Sequence, residues 1–233
     1  MSPPQERVAH RALDGRRFLI SGPLDLSASA TSVVEVTIDG RRHELTAGPA
    51  NLGRDVARAV GVDRFDEELR YEGGTLLTAR TRPYDPRIRL REERLTAVWE
   101  GRRHSLFTHL YRATSSDVLG VLRALRLDEH PDGLAVRPRR RGAFAAPATV
   151  VKEIGGLGLL ELSPLTPRHA EQLPRWQGRQ TPAGELFRDR LSDGSPYFVL
   201  AARDVWATVL PLSGAAADQA PELIGRLRLA TAE

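Results

Sequence analysis

Six histidines, His10, His43, His104, His109, His130 and His169, are the side chains of this sequence best suited to acid–base work near neutral pH. Only His43 and His104 recur in matching surroundings. Gly40-Arg41-Arg42-His43-x-Leu45 and Gly101-Arg102-Arg103-His104-x-Leu106 are identical at every specified position, at an offset of 61. With Asp39-Gly40 as a hairpin turn, alternation puts His43 on the strand face carrying Val34, Val36 and Ile38. By the same parity His104 lies with Leu95, Ala97 and Trp99. Both are therefore read first as residues at the edge of a core, with a paired site across the two copies as the functional alternative.

Other chemistry is excluded by composition or by spacing. Zero cysteines rules out a disulfide scaffold, a thiol nucleophile, an iron–sulfur cluster and a thiolate zinc site. The sequence contains no GxxxxGK[ST], HExxH, EF-hand or GxSxG pattern. Gly155-Gly156-Leu157-Gly158 lacks GxGxxG spacing and no capped helix opens after it, so it is read as a hairpin turn. Glu67-Glu68 and Glu92-Glu93 are adjacent and point to opposite strand faces, as solvating charges do. No catalytic residue, metal or cofactor is expected, and an enzyme assembled between the repeats remains an alternative.

Of 34 basic residues all but Lys152 are arginine, a ratio that GC-rich codons produce. The formal charge is +4, and the excess is local: residues 1–150 hold 25 basic and 20 acidic residues, 151–233 hold 9 and 10. Arg87, Arg89 and Arg91 share strand parity, and Arg137, Arg139, Arg140 and Arg141 form a run. These seven arginines are the candidate partner-binding residues. The competing reading is an exposed face answered by Glu92, Glu93 and other acids.

The elements that must position these groups follow from pattern. Residues 1–15 are polar with an early Pro-Pro and read as a flexible tail. Val33 to Ile38 alternates as a half-buried strand, Asp39-Gly40 turns, and Arg41 to Leu45 returns. Asn51 opens a helix from Leu52 to Val60 that ends at Gly61, and Leu69 to Tyr71 resumes a strand. The same order recurs from Leu95 to Leu106, through a helix capped at Thr114 or Ser115 with Asp117 completing a capping box, to a strand at Leu134 to Val136. Asp55-Val56 matches Asp117-Val118, and Asp66-Glu67 matches Asp128-Glu129.

Residues 16–145 are thus a duplicated ββαβ region, with copies at Val33–Tyr71 and Arg94–Val136. Residues 146–233 are read as a hairpin and helix region packed on the same body. Within it Val150 to Leu162 and Tyr197 to Leu210 are hairpins, Thr181-Pro182 opens a helix through Leu191, and a last helix runs from about Ala217 to Leu229. The expected fold class is α+β: mostly antiparallel sheet with packed helices, two ββαβ units related by an internal pseudo-two-fold.

Two runs carry a family likeness. Ala97 to Leu106, followed by a helix with Val118, Leu119, Leu122 and Leu125, and Tyr197 to Pro211, followed by a C-terminal helix, resemble the type VII (ESX) secretion-associated chaperones of the EspG kind. The resemblance implies a quasi-two-fold α/β architecture and a non-catalytic cytosolic chaperone that holds helical secretion substrates. It transfers no binding residue.

From the residues themselves the expected function is a non-enzymatic, cytoplasmic protein-binding adaptor or chaperone, with another protein as partner. Nucleic-acid binding through the arginine-rich strand and loop is the alternative partner class. No membrane association is expected, because no stretch approaches the roughly 20 apolar residues of a span and Met1 to Arg7 lacks an apolar leader core. The oligomeric state stays open.

Overall fold

The computed structural model describes residues 6–85, 89–139, 144–174 and 176–232. Strands take up 53% of the described residues and helices 16%, in 4 helices among them, so the molecule is closer to all-β than to the expected α+β arrangement of sheet and packed helices. Several expectations failed in that direction. Glu6–Arg11, read as tail, is a strand paired with Arg17–Gly22 from Glu6↔Gly22 to Arg11↔Arg17. The helix expected from Thr181 is a hairpin, Arg179–Thr181 with Gly184–Arg190. Gly184 has φ +139 and lies so close to the next strand that a Cβ would sit 2.4 Å from the Ala201 carbonyl oxygen, a contact that a ladder makes and a helix cannot. No helix among the described residues is long and apolar enough to cross a membrane.

The chain divides into two compact units. The terminal unit comprises Met1–Arg11, Arg16–Ala30 and Thr149–Glu233. Its larger sheet runs in the order Arg179–Thr181, Gly184–Arg190, Pro196–Ala201, Val205–Leu210, Gly158–Pro164 and Thr149–Ile154, antiparallel throughout. A second set pairs Glu6–Arg11, Arg17–Gly22 and Arg228–Ala232. Arg228 and Leu229, expected to close the last helix, instead open the strand Arg228–Ala232 at the outside of that set, and the helix ends at Gly225. Asp204 accepts from the Thr231 backbone N–H at 2.8 Å and so covers a donor that an edge strand leaves unpaired. Lys152 is 1% exposed and its ammonium donates to the Ala28 carbonyl. The one basic side chain that is not arginine is thus the one buried to anchor a loop.

The central unit, Ala12–Gly15 and Thr31–Ala148, holds both repeats. Each copy is strand, strand, helix, strand, strand, one strand more than the sequence indicated. The first copy has a hairpin of Ala30–Ile38 and Arg41–Pro49, the helix Leu52–Ala59, and a hairpin of Glu67–Tyr71 and Gly74–Thr81. The second has Arg94–Glu100 and His104–Tyr111, the helix Ser115–Arg123, and Leu125–His130 with Gly133–Pro138. The sheet order is Ala30–Ile38, Arg41–Pro49, His104–Tyr111, Arg94–Glu100, Gly74–Thr81, Glu67–Tyr71. The closing hairpin of the first copy therefore pairs with the second copy, whereas that of the second copy is not in this sheet. Duplication holds in element order and is broken in pairing.

Local chemistry explains most boundaries. Asp39 (φ 51) and Gly40 (φ 77) make the two-residue turn that fits strand twist, with Ile38↔Arg41 closing it. At the second helix Thr114 Oγ1 accepts from the Asp117 N–H while Asp117 accepts from the Thr114 N–H, the expected capping box. Asn51, by contrast, makes no capping bond from its side chain. The first helix packs its Ala57 with Val62 against Leu77, Ala79, Val98 and Phe107. Gly53 allows that approach, since a Cβ there would lie 2.4 Å from Val98 Cγ1.

Candidate functional site

The two leading hairpins of the central unit meet along a seam between Arg41–Pro49 and His104–Tyr111. The ladder runs from His104↔Pro49 to Phe107↔Thr46. The repeat offset of 61 carries Thr46 onto Phe107, so a local two-fold passes through that pair. Symmetry then demands that Pro49↔His104 be mirrored by Leu110↔His43, and Gly48↔Ser105 by His109↔Glu44. The first half is laddered; the mirror half is not.

The closed half is stitched. Ser105, fully buried, donates from its hydroxyl to the Pro49 carbonyl at 3.0 Å and accepts from the Gly53 N–H at 2.8 Å, binding seam and helix together. In the mirror half Ser105 and Gly48 are replaced by Glu44 and His109, too bulky and too polar for that junction. The second helix caps its own N-terminus with Thr114 and Asp117 and, among the described residues, makes no hydrogen bond to the seam. Thr108 Oγ1, donating to the Glu44 carbonyl at 2.7 Å, marks the point where the strands part.

The parting opens a cleft of about 420 Å³ whose wall includes Arg41, His43, Glu44, His109, Tyr111 and Arg112. His43 pairs across its hairpin with Val36, as alternation predicted, and projects at the cleft edge. His109, which sequence reasoning passed over, sits edge-on to Tyr111 at 5.3 Å. Burial, reinforced by Arg41, holds His43 below its ordinary pKa. Burial and then Arg94 do the same for His109, against an upward pull from Glu44. Both imidazoles are accordingly neutral at neutral pH. Arg94 lies over the Tyr111 ring at 5.2 Å and donates to its hydroxyl at 3.1 Å.

His104 is elsewhere. It closes the loop Gly101–His104, at the far end of the seam from His43; six residues of strand separate Pro49, its partner, from His43, about 20 Å. The hairpin register is also shifted: Trp99 pairs with Leu106, where repetition would pair it with Arg102. Glu129 stabilises this register: its carboxylate accepts the N–H groups of Arg102, Arg103 and His104 at 3.1, 2.7 and 2.8 Å, so these three do not pair with Arg94–Glu100 in the hairpin ladder. The repeated GRRH motif therefore does two unrelated structural jobs, and the two histidines do not form a shared site.

The arginine candidates are dispersed. Arg137 Nε lies 3.5 Å from Asp128, and Arg139 Nη2 donates to both Glu72 oxygens at 2.7 Å. Arg80 and Arg82 are both held by Glu93, at 2.6 and 3.2 Å. Arg89 and Arg91 belong to a small two-stranded arm in which Tyr84–Asp85 pairs with Leu90–Arg91. Arg89 has φ 55 and lies in the turn, so it does not share a strand face with Arg91. Arg87, Arg140 and Arg141 fall outside the described residues. Among the described residues no cluster of three or more His, Asp or Glu is placed to hold a metal ion. No protein-family description, curated protein or solved structure matches this chain.

Proposed function

We propose that this chain is a non-enzymatic, cytoplasmic protein-binding adaptor of the chaperone type, and that the arm formed by Tyr84–Asp85 and Leu90–Arg91 is its recognition element. The supporting observation is that Tyr84 is 53% and Leu90 59% exposed. Tyr84 pairs with Arg91 and Asp85 with Leu90, so the two apolar side chains stand on opposite faces of a ribbon too short to have a core. A segment that wraps the ribbon buries both at once. Arg89 and Arg91 on the same arm favour an apolar segment that also carries acidic residues.

Catalysis is the weaker reading of the cleft. Neither His43 nor His109 is hydrogen-bonded to a carboxylate or hydroxyl among the described residues, so neither has the orienting partner of an acid–base pair. Nucleic-acid binding loses Arg137 and Arg139 to their carboxylate partners. The likeness to EspG-type chaperones adds that the partner is a helical secretion substrate.

The test is affinity capture from the native cytosol with the wild-type chain and with a Tyr84→Ser/Leu90→Ser double variant. The expected result is a stoichiometric protein partner retained by the first and lost by the second, at unchanged melting temperature, because exposed positions shift stability by no more than about 0.5 kcal/mol. Equal capture by both would remove the arm from the account. Capture of nucleic acid that falls steeply with salt would replace the adaptor reading.

A further inference from the structure

The seam cleft exists because the repeat is broken there, and the residues that break it are charged or hydrogen-bonding. Its lining cations are not equally engaged. Arg42 is held by Glu35 at 3.7 Å, whereas Arg41 and Arg112 form no ion pair with any described carboxylate. Of the lining acids, Glu35 has that partner and Asp117 is committed to Thr114. Glu44 alone of the three has neither an ion pair nor a side-chain hydrogen bond among the described residues.

Arg112 is also conformationally marked. Its φ of 49 lies in the left-handed region, which a side chain makes costly, and its N–H is fixed to the Glu93 carbonyl at 3.0 Å. A glycine would serve the bend at less strain. The position instead carries a guanidinium at the cleft rim.

We propose that this cleft binds a small molecule through an oxyanion, a phosphate or a carboxylate, held between Arg41 and Arg112, with the imidazoles of His43 and His109 as further hydrogen-bonding groups. The volume of about 420 Å³ suits a small ligand. Glu44, facing His109, favours a ligand that presents a donor beside its anionic group. The site shares no lining residue with the arm, and its outcome does not depend on the adaptor reading.

The 6 histidines make the test direct, because each gives one Cε1–H ring resonance, with His43→Gln and His109→Gln assigning the two that matter. The chain is titrated with inorganic phosphate, with succinate, and with sodium chloride at matched ionic strength. A bound oxyanion favours the protonated imidazole, so the His43 and His109 resonances are expected to move saturably and their pKa values to rise, while the other resonances stay in place. Response to phosphate alone assigns a phosphoryl ligand; response to succinate alone assigns a carboxylate. Arg112→Gly is expected to abolish the response while leaving the melting temperature equal or higher. Movement matched by sodium chloride, movement shared by all the histidines, or a full response in Arg112→Gly would each overturn the site.

Discussion

Glu129 holds His104 by accepting its backbone N–H at 2.8 Å, and the same carboxylate lies 3.5 Å from the His104 Nδ1. With the Arg102 and Arg103 amides this makes one carboxylate the organising group of the Gly101–His104 loop. A Cβ at Gly101 would fall 2.8 Å from the same carboxylate and 2.5 Å from the Trp99 ring, so the loop is built to admit it closely. Glu129→Gln is expected to destabilise the fold by about 1–3 kcal/mol, since an amide N–H₂ faces donors that the carboxylate satisfied. Chemical denaturation measures this; a loss indistinguishable from zero would show that the loop holds its register without the acid.

The stitch at the closed half of the seam predicts a larger penalty than helix propensity would suggest. Gly53→Ala improves helix propensity by about 1 kcal/mol, yet it places a methyl 2.4 Å from Val98 Cγ1. Overpacking of this kind costs about 1–3 kcal/mol, and a net destabilisation is expected. Ser105→Ala removes the acceptor of the Gly53 N–H and is expected to cost about 1–3 kcal/mol. Because both changes act on one junction, the double variant should lose less than the sum, which a double-mutant cycle in urea would read.

Stability should respond to pH through the histidines. His43, His104 and His109 are all held below their ordinary value of 6.5, in each case chiefly by burial. The folded state therefore resists the proton more than the unfolded state does. The contribution is complete above pH 6.5 and is lost as the pH falls from there through the folded-state values. Glu129 adds a second loss at lower pH: burial would raise its carboxyl, but the N–H groups of Arg103, His104 and Arg102 outweigh this and hold it below 4.5. Urea midpoints on either side of pH 6.5 are expected to fall with acidification, and His43→Gln/His109→Gln to flatten the upper step. A midpoint that rises on acidification through this range would contradict the burial of these rings.

Sequence alone determined the parts that depend on neighbouring residues. The turn at Asp39-Gly40, the capping box at Thr114 and Asp117, the face of His43 and the strand, strand, helix opening of each copy are all settled by chemistry within a few residues. Tertiary structure decided the rest, because it turns on which strand lies beside which. Glu6–Arg11 reads as tail until Arg17–Gly22 pairs with it, and Glu185 to Arg190 reads as helix until Pro196–Ala201 supplies a ladder. The cleft is the clearest case. Ser105 and Glu44 occupy related positions in the two copies, and nothing local says that one stitches a seam and the other leaves it open. That follows only when Gly53 reaches Ser105 across 52 residues of chain. The duplication thus fixes the frame, and long-range contacts choose where it departs from symmetry.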